Sequence, residues 1–293
     1  MLANNSKSNK IQNRQVILKL LAMKAPISRV ELSLLSGLSK MSLTNIISEF
    51  QQEGFVVEVG VDTTAEGKRK PVLLELADNA INALGVNVSK KEIQSCYADI
   101  KSNIYSFDTC PLPAGAVVDS VVSYVQNKIK NTPVPLSGAG VSFDASFPNE
   151  LRQEIVNALK EQEIPMFFAS NAQCALLAEK RYGGAKGLDS VLYASYKRGY
   201  LDCALYANKK MWKGHTLQAG AVPCENVDTA VEKLKDIIAF SNPQAVLFDA
   251  DVAHPDVCAQ TKEQGVTVRH CILGKQAPIL GSATLVFDHE YFS

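Results

Sequence analysis

The chain has 293 residues, enough for two domains with separate cores, and its 30 basic and 30 acidic side chains cancel. Global charge therefore says nothing about partners, and no apolar run approaches the roughly 20 residues of a membrane span. Seven scattered cysteines (Cys96, Cys110, Cys174, Cys203, Cys224, Cys258 and Cys271) include no C-x-x-C pair, which fits a reducing compartment rather than a disulfide framework.

The start, "MLANNSKSNK", is too polar for the apolar region of a signal peptide, so the expected location is the cytoplasm. Charge is lopsided along the chain. Residues 1–45 carry Lys7, Lys10, Arg14, Lys19, Lys24, Arg29 and Lys40 against Glu31 alone. Such a basic end is either a nucleic-acid-binding region or a solvated tail.

A first helix is predicted from about Ile11 to Met23, with Pro26 helping to end it. Ser28 and Glu31 then form a capping box, and Ile27 and Leu32 a hydrophobic staple, for a short second helix. Gly37 suits the left-handed position after that helix. Ser39 caps a third helix, with Leu38 and Leu43 as its staple. Leu43, Ile46, Ile47 and Phe50 recur at i, i+3, i+4 and i+7 and form its buried stripe. Met41, Thr44, Asn45, Ser48 and Gln52 project the other way.

That outer face is polar and short-chained, as a helix in the major groove requires. Met41, Thr44 and Asn45 are the candidate base readers, with Ser39, Lys40 and Ser42 on the adjoining phosphates. Arg29 and Lys24 are further backbone candidates. After Gly54, "FVVEVG" reads as a strand, "VDTTAEGKRK" as a polar turn and "PVLLEL" as a return strand. A hairpin after a recognition helix is a wing, and Lys68, Arg69 and Lys70 fall near its tip, where they can hold phosphates or enter the minor groove. The alternative is a helical pair and hairpin buried in a larger domain. The caps, the outer face and the basic wing together favour double-stranded DNA as the partner.

Downstream, "VVDSVVSYVQNKIKN" and "NELRQEIVNALKEQEI" read as amphipathic helices, and "PMFFASN" as a buried strand. "ENVDTAVEKLKDIIAFSNPQAVLF" reads as one amphipathic helix and a strand. His215, His254, His270 and His289 lack ligand spacing, and a lone Cys224 reads as a free thiol rather than a zinc ligand.

The string "ISRVELSLLSGLSKMSLTNIISEFQQEGFV", followed by "EGKRKPVLLEL", resembles the DNA-binding domain of ROK-family transcriptional repressors, a family that also contains sugar kinases of actin-like fold. The resemblance continues almost to the end. "ALGVNVSKKEIQSCYADIKSNI" looks like the first hairpin of the actin-like domain. "GAGVSFDASFP" looks like the strand and turn entering the second lobe. "IPMFFASNAQCALLAEKRYGGAKGLDSVLY" looks like the strand and helix at the sugar site, and "KKMWKGHTLQAGAV" and "ILGSATLVFD" match later elements.

The resemblance also defines what is missing. The first phosphate turn, Gly-rich in the kinases, is "VNVSKKE" here, and the second is "SYKRGYL" with only Gly199 left. In the first turn a Cβ on every residue blocks close backbone approach to phosphate. Asn171 is present, but Ala172 stands where the kinases place their catalytic Asp, and alanine cannot take a proton. Ala221 and Cys224 stand where a sugar-binding Glu and a zinc-binding His are implied, and the Cys-rich zinc loop is missing. Neither zinc nor nucleotide is therefore expected as a cofactor. Asn171 reads as structural, a strand-end cap.

The expected architecture is α/β: a winged helix-turn-helix over residues 1–78, then a shortened, two-lobed actin-like (ribonuclease H-like) domain over 79–293 for effector binding or oligomerisation. The expected function is sequence-specific transcriptional regulation, as a repressor, by a homodimer or tetramer without enzyme activity. Effector candidates are Asn171, with Lys197 and Arg198 as an anion site in the cleft, and ordinary sugar binding is expected to be lost or much weakened. The alternatives are an ATP-dependent sugar kinase of the ROK type and a protein-docking module that does not bind DNA.

Overall fold

The computed structural model describes residues 3–63, 70–217, 219–249, 258–259, 261 and 265–292. The chain forms two compact units. One comprises Met1–Asn82, Asp99–Asn103 and Phe287–Ser293; the other comprises Ala83–Ala98 and Ile104–Val286.

The first unit begins with α1 (Ala3–Lys24), then β1 (Ile27–Ser28), α2 (Arg29–Ser36), α3 (Lys40–Gln52), β2 (Val56–Val61) and β3 (Val72–Leu76). Helix α1 is longer than its periodicity predicts and begins within the polar N-terminal string. Part of its basic charge is used internally. Lys10 bonds Glu49 at 2.7 Å, and Arg14 bonds Glu49 at 2.7 Å and Glu53 at 2.5 Å. The Lys10 bond leads the influences that hold the Glu49 carboxyl below its ordinary range.

The caps form as the sequence dictates. Ser28 accepts from the Glu31 amide while the Glu31 carboxylate accepts from the Ser28 amide. Gly37 ends α2 at φ +70°, where a Cβ is disfavoured. Ser39 accepts from the Ser42 amide. Leu43, Ile46, Ile47 and Phe50 are buried with Ile17, Leu21, Leu32, Leu74 and Leu76. Each such burial contributes about 1.5–3 kcal/mol. Strands β2 and β3 pair antiparallel, with an irregularity between Glu58 and Gly60, and β1 pairs with the other side of β3.

The second unit opens with β4 (Asn82–Val88), β5 (Glu92–Asp99) and β6 (Ile104–Pro111). Helix α4 (Val117–Lys130), β7 (Gly138–Phe143), α5 (Asn149–Leu159), β8 (Met166–Ser170) and α6 (Asn171–Tyr182) follow. Strands β4 to β8 form a sheet in the order β6-β5-β4-β7-β8, with β4, β7 and β8 parallel. This corrects one expectation. "GAGVSFDASFP" does not enter the second lobe; β7 is a central strand of the first, flanked by β4 and β8.

The second lobe is built from β9 (Val191–Lys197), β10 (Tyr200–Ala207), β11 (Lys210–Met211), β12 (Ala221–Pro223), α7 (Val227–Ser241), β13 (Ala245–Phe248) and β14 (Thr267–His270). Its sheet runs β11-β10-β9-β13-β14, with β12 on β10. Helix α8 (Ala277–Phe287) follows, and a π-helical turn over Asp288–Phe292 comes after it. Helix α8 lies so close to the first sheet that a Cβ on Gly140 would strike the Ser282 carbonyl. No described helix is long and apolar enough to cross a membrane.

Candidate nucleic-acid interface and cleft

Along α3 the buried stripe fixes which side chains face out. Lys40, Met41, Ser42, Thr44, Asn45 and Ser48 are all exposed, Met41 at 77%. Capping Ser39 is exposed at the helix start, its hydroxyl 2.9 Å from that of Ser42. The Thr44 hydroxyl donates back to the Lys40 carbonyl at 2.8 Å. Its methyl is therefore left for an incoming surface, the group that meets a thymine methyl in base readout. Among the described residues the Asn45 side chain has no hydrogen-bond partner, and it keeps its full amide for an external one.

Arg29 sits at the start of α2 and reaches Glu58 on β2 at 3.1 Å and Gln51 of α3 at 3.4 Å. Gln51 also donates to Glu58 at 3.3 Å. Arg29 thus ties both helices to the first wing strand, and a phosphate must compete with Glu58 for it. An exposed pair of this kind is weak, so the competition is easily won. Lys70 is at the base of the described wing and donates to the Thr63 carbonyl at 2.5 Å. Lys68 and Arg69 lie outside the described residues.

In the second unit Asn171 and Lys197 line one small cavity with Asp144, Ser195, Tyr200 and Asp202. Ser170 caps α6 through a capping box with Gln173, so Asn171 is not the cap that sequence implied. It is the first helical residue, and its side-chain oxygen accepts from Asn87. Ala172 behind it is buried.

The two turns that would cradle phosphate in the kinases are closed. In the first, the Ser89 hydroxyl accepts from the Glu92 and Lys91 amides at 3.2 and 3.4 Å, so those donors point inward. The second is a tight hairpin with Arg198 at φ +54° and Gly199 at φ +78°. Two successive left-handed residues give the twist that matches flanking strands. Arg198 reaches Asp144 at 3.2 Å, and Lys197 reaches Asp249 at 2.5 Å. Both cations are committed to carboxylates, and the cavity beside them is itself acidic. An anion site at Lys197 and Arg198 is therefore not supported by the geometry.

Sequence reasoning missed two residues here. Asp202 is 5% exposed on a strand otherwise apolar inside. Burial foremost, then the charge of Asp144, pushes its carboxyl up to about 7, against the pull of Arg152. Arg152 is 1% exposed and donates to the carbonyls of Asp144, Ala145 and Leu217. One signal was available. Arg152 occupies the first position of an i, i+3, i+4, i+7 stripe completed by Ile155, Val156 and Leu159.

No family model matches the chain. It is 23% identical over 220 residues to the xylose repressor of Bacillus subtilis, covering 69% of this chain and 57% of that protein. It is 22% identical over 279 residues to the xylose repressor of Caldicellulosiruptor bescii, covering 88% and 68%. The transcriptional repressor Mlc of Escherichia coli is 20% identical over 200 residues, covering 61% and 49%. The crystal structure of a ROK-family transcriptional regulator, a homologue of Mlc, superposes with a TM-score of 0.71 at 15% identity over 97% of both chains. The chain has the fold of ROK-family proteins and is similar in sequence to the xylose repressors. Its actin-like part also matches the ROK hexokinase of Thermus thermophilus, with a TM-score of 0.55 at 15% identity over 70% of this chain and 98% of that one. The chain spans only 57% of the length of the first of these curated relatives.

Proposed function

We propose that this protein is a ROK-family, sequence-specific DNA-binding transcriptional repressor whose actin-like domain carries no kinase chemistry. The observation that supports this most is the outer face of α3: a capped helix held by a buried stripe, presenting Met41, Thr44 and Asn45 to solvent. Asn45 is the strongest reader, because an amide can bond adenine at two points. Ser39, Lys40 and Ser42 lie on the flanking backbone. Arg29 and the wing residues Lys68, Arg69 and Lys70 add cations at the edges. The repressors it resembles in sequence lend the same direction.

The reading of the second unit as inert rests on Ala172 and the two closed turns. Alanine holds no proton-accepting group, and Ser89 already takes the amides of the first turn. DNA sites of such proteins are usually two-fold, so the working form is a homodimer or tetramer with recognition helices about one helical turn apart, or a multiple of it.

Two assays on the purified full chain test the proposal. Fluorescence anisotropy with its own upstream DNA and an unrelated duplex should show preference for the former, with affinity falling steeply with salt. Asn45→Ala combined with Arg69→Ala should remove the preference. ATP-dependent phosphorylation of hexoses, followed by ADP release, should stay at background. Turnover above background would make the protein a kinase, and equal binding of both duplexes would point to protein docking instead.

A further inference from the structure

At one edge of the second-lobe sheet, β10 turns into β11 through Asn208 at φ +52° and Lys209 at φ +62°. Both central residues are left-handed, as in the tightest hairpins, where glycine is the usual second residue. Here a lysine holds that place, against the steric preference of its Cβ. Lys210, Trp212, Lys213 and His215 follow, and all are exposed. From Tyr200 to Val222 the single acidic residue is Asp202, which is buried. The hairpin thus presents three lysines with no exposed carboxylate in its own segment. Among the described residues Lys209 and Lys210 form no ion pair.

The backbone beneath these side chains is fixed. The Trp212 amide donates to the Leu205 carbonyl at 2.8 Å, and Gln173 of the α6 cap donates to the Trp212 and Lys213 carbonyls at 3.0 and 3.4 Å. Gly214 then turns the chain at φ +65°, where a Cβ would strike the Ala219 side chain. Alternation on the extended segment sends Met211 inward against the lobe's core, and Lys210 and Trp212 to the opposite side. On this held backbone the Trp212 indole is 56% exposed. Lysines on a sheet edge also deter pairing with other chains, but an indole does not serve that end.

Cations beside an exposed indole fit a ligand with both phosphates and accessible bases. Lysines take the phosphates, and a base stacks on the ring. Duplex DNA keeps its bases stacked on one another and offers only phosphates to such a surface. A lipid surface calls for a wider apolar face, because the other exposed residues from 209 to 216 are Lys, Gly, His and Thr. We propose that the β10–β11 hairpin binds single-stranded nucleic acid, with Trp212 stacked on a base and Lys209, Lys210 and Lys213 on adjacent phosphates. This goes beyond the DNA-reading proposal, concerns the other unit and does not depend on it.

Trp212 is the chain's single tryptophan, so its emission reports on this hairpin alone. Titrating the full chain with a short oligothymidylate or oligouridylate should quench that emission to saturation, and the two arms distinguish DNA from RNA. The slope of log affinity against log salt should be about −2, from roughly 0.7 per phosphate contact. A duplex of the same length should not quench. Lys209→Asn, which keeps the left-handed turn, combined with Lys210→Ala should weaken oligonucleotide binding about tenfold near physiological salt and leave affinity for the protein's own upstream duplex unchanged. Trp212→Ala, followed with a dye-labelled oligonucleotide, should weaken it about five- to 150-fold. No saturable quenching by either oligonucleotide, equal quenching by the duplex, or quenching unaltered in the lysine variant would overturn the proposal. A blue shift with phosphatidylglycerol vesicles and no response to oligonucleotides would overturn it in favour of a lipid contact.

Discussion

On α3, Met41, Ser42, Asn45 and Ser48 face solvent; among the described residues the Asn45 and Ser48 side chains have no hydrogen-bond partner, and the Ser42 hydroxyl meets that of Ser39. In the cleft of the second unit, Asp144, Arg198, Lys197 and Asp249 are turned on one another, and Asp202 and Arg152 are buried. The first arrangement leaves donors and acceptors for a large external partner. The second spends its polar groups on holding a narrow space closed, where the kinases would need room for sugar and nucleotide. A polar side chain is thus evidence for recognition only after its own partners have been counted.

Four experiments sharpen or break this contrast. The largest effect should come from Phe50→Ala, which empties the core beneath the α3 face and should cost about 3–5 kcal/mol in urea denaturation. DNA binding should be lost with it, because the face exists only while the stripe is packed.

Asp202→Asn probes the cleft. The Asp202 carboxyl sits at about 7 in the folded chain against an ordinary 3.8. The folded state therefore holds this proton more tightly than the unfolded chain does. Stability should be highest at the acid end and fall as pH rises from about 4 to above 7, by roughly 2–4 kcal/mol in all. The variant should lose that decline and be the more stable protein at pH 8. Denaturation curves at pH 5 and pH 8 for both proteins decide this, and identical pH dependence would contradict it.

Lys40→Ala, at the start of α3, should lower the slope of log affinity against log salt by about one without changing which duplex is preferred. Ser28→Ala, which removes the capping box of α2, should cost about 1 kcal/mol and leave the cleft untouched. Thermal melting alone measures that last effect.

Legibility in the sequence follows the same division. Ser28, Gly37 and Ser39 were readable because caps are set by residues two or three positions away. The α3 stripe was readable because helical period alone fixes a face. The early start of α1 was not readable. Its first turns are polar and aperiodic, and Lys10 and Arg14 find Glu49 and Glu53 well over thirty positions further on. The place of β7 was misread because parallel pairing with β4 and β8 leaves no local mark. The acidity of the cleft escaped notice for the same reason: Asp202 becomes a buried acid only when α5, α6 and β7 close around it, although Arg152 on an apolar stripe hinted at it.

The most direct test of the central claim is a titration of the protein's own upstream DNA with wild type and Asn45→Ala at two salt concentrations. The account predicts that Asn45→Ala loses about five- to 150-fold in affinity for that DNA, equivalent to about 1–3 kcal/mol, while its binding to unrelated duplex and its salt slope stay the same. Unchanged affinity for the upstream DNA would show that the outer face of α3 does not read sequence.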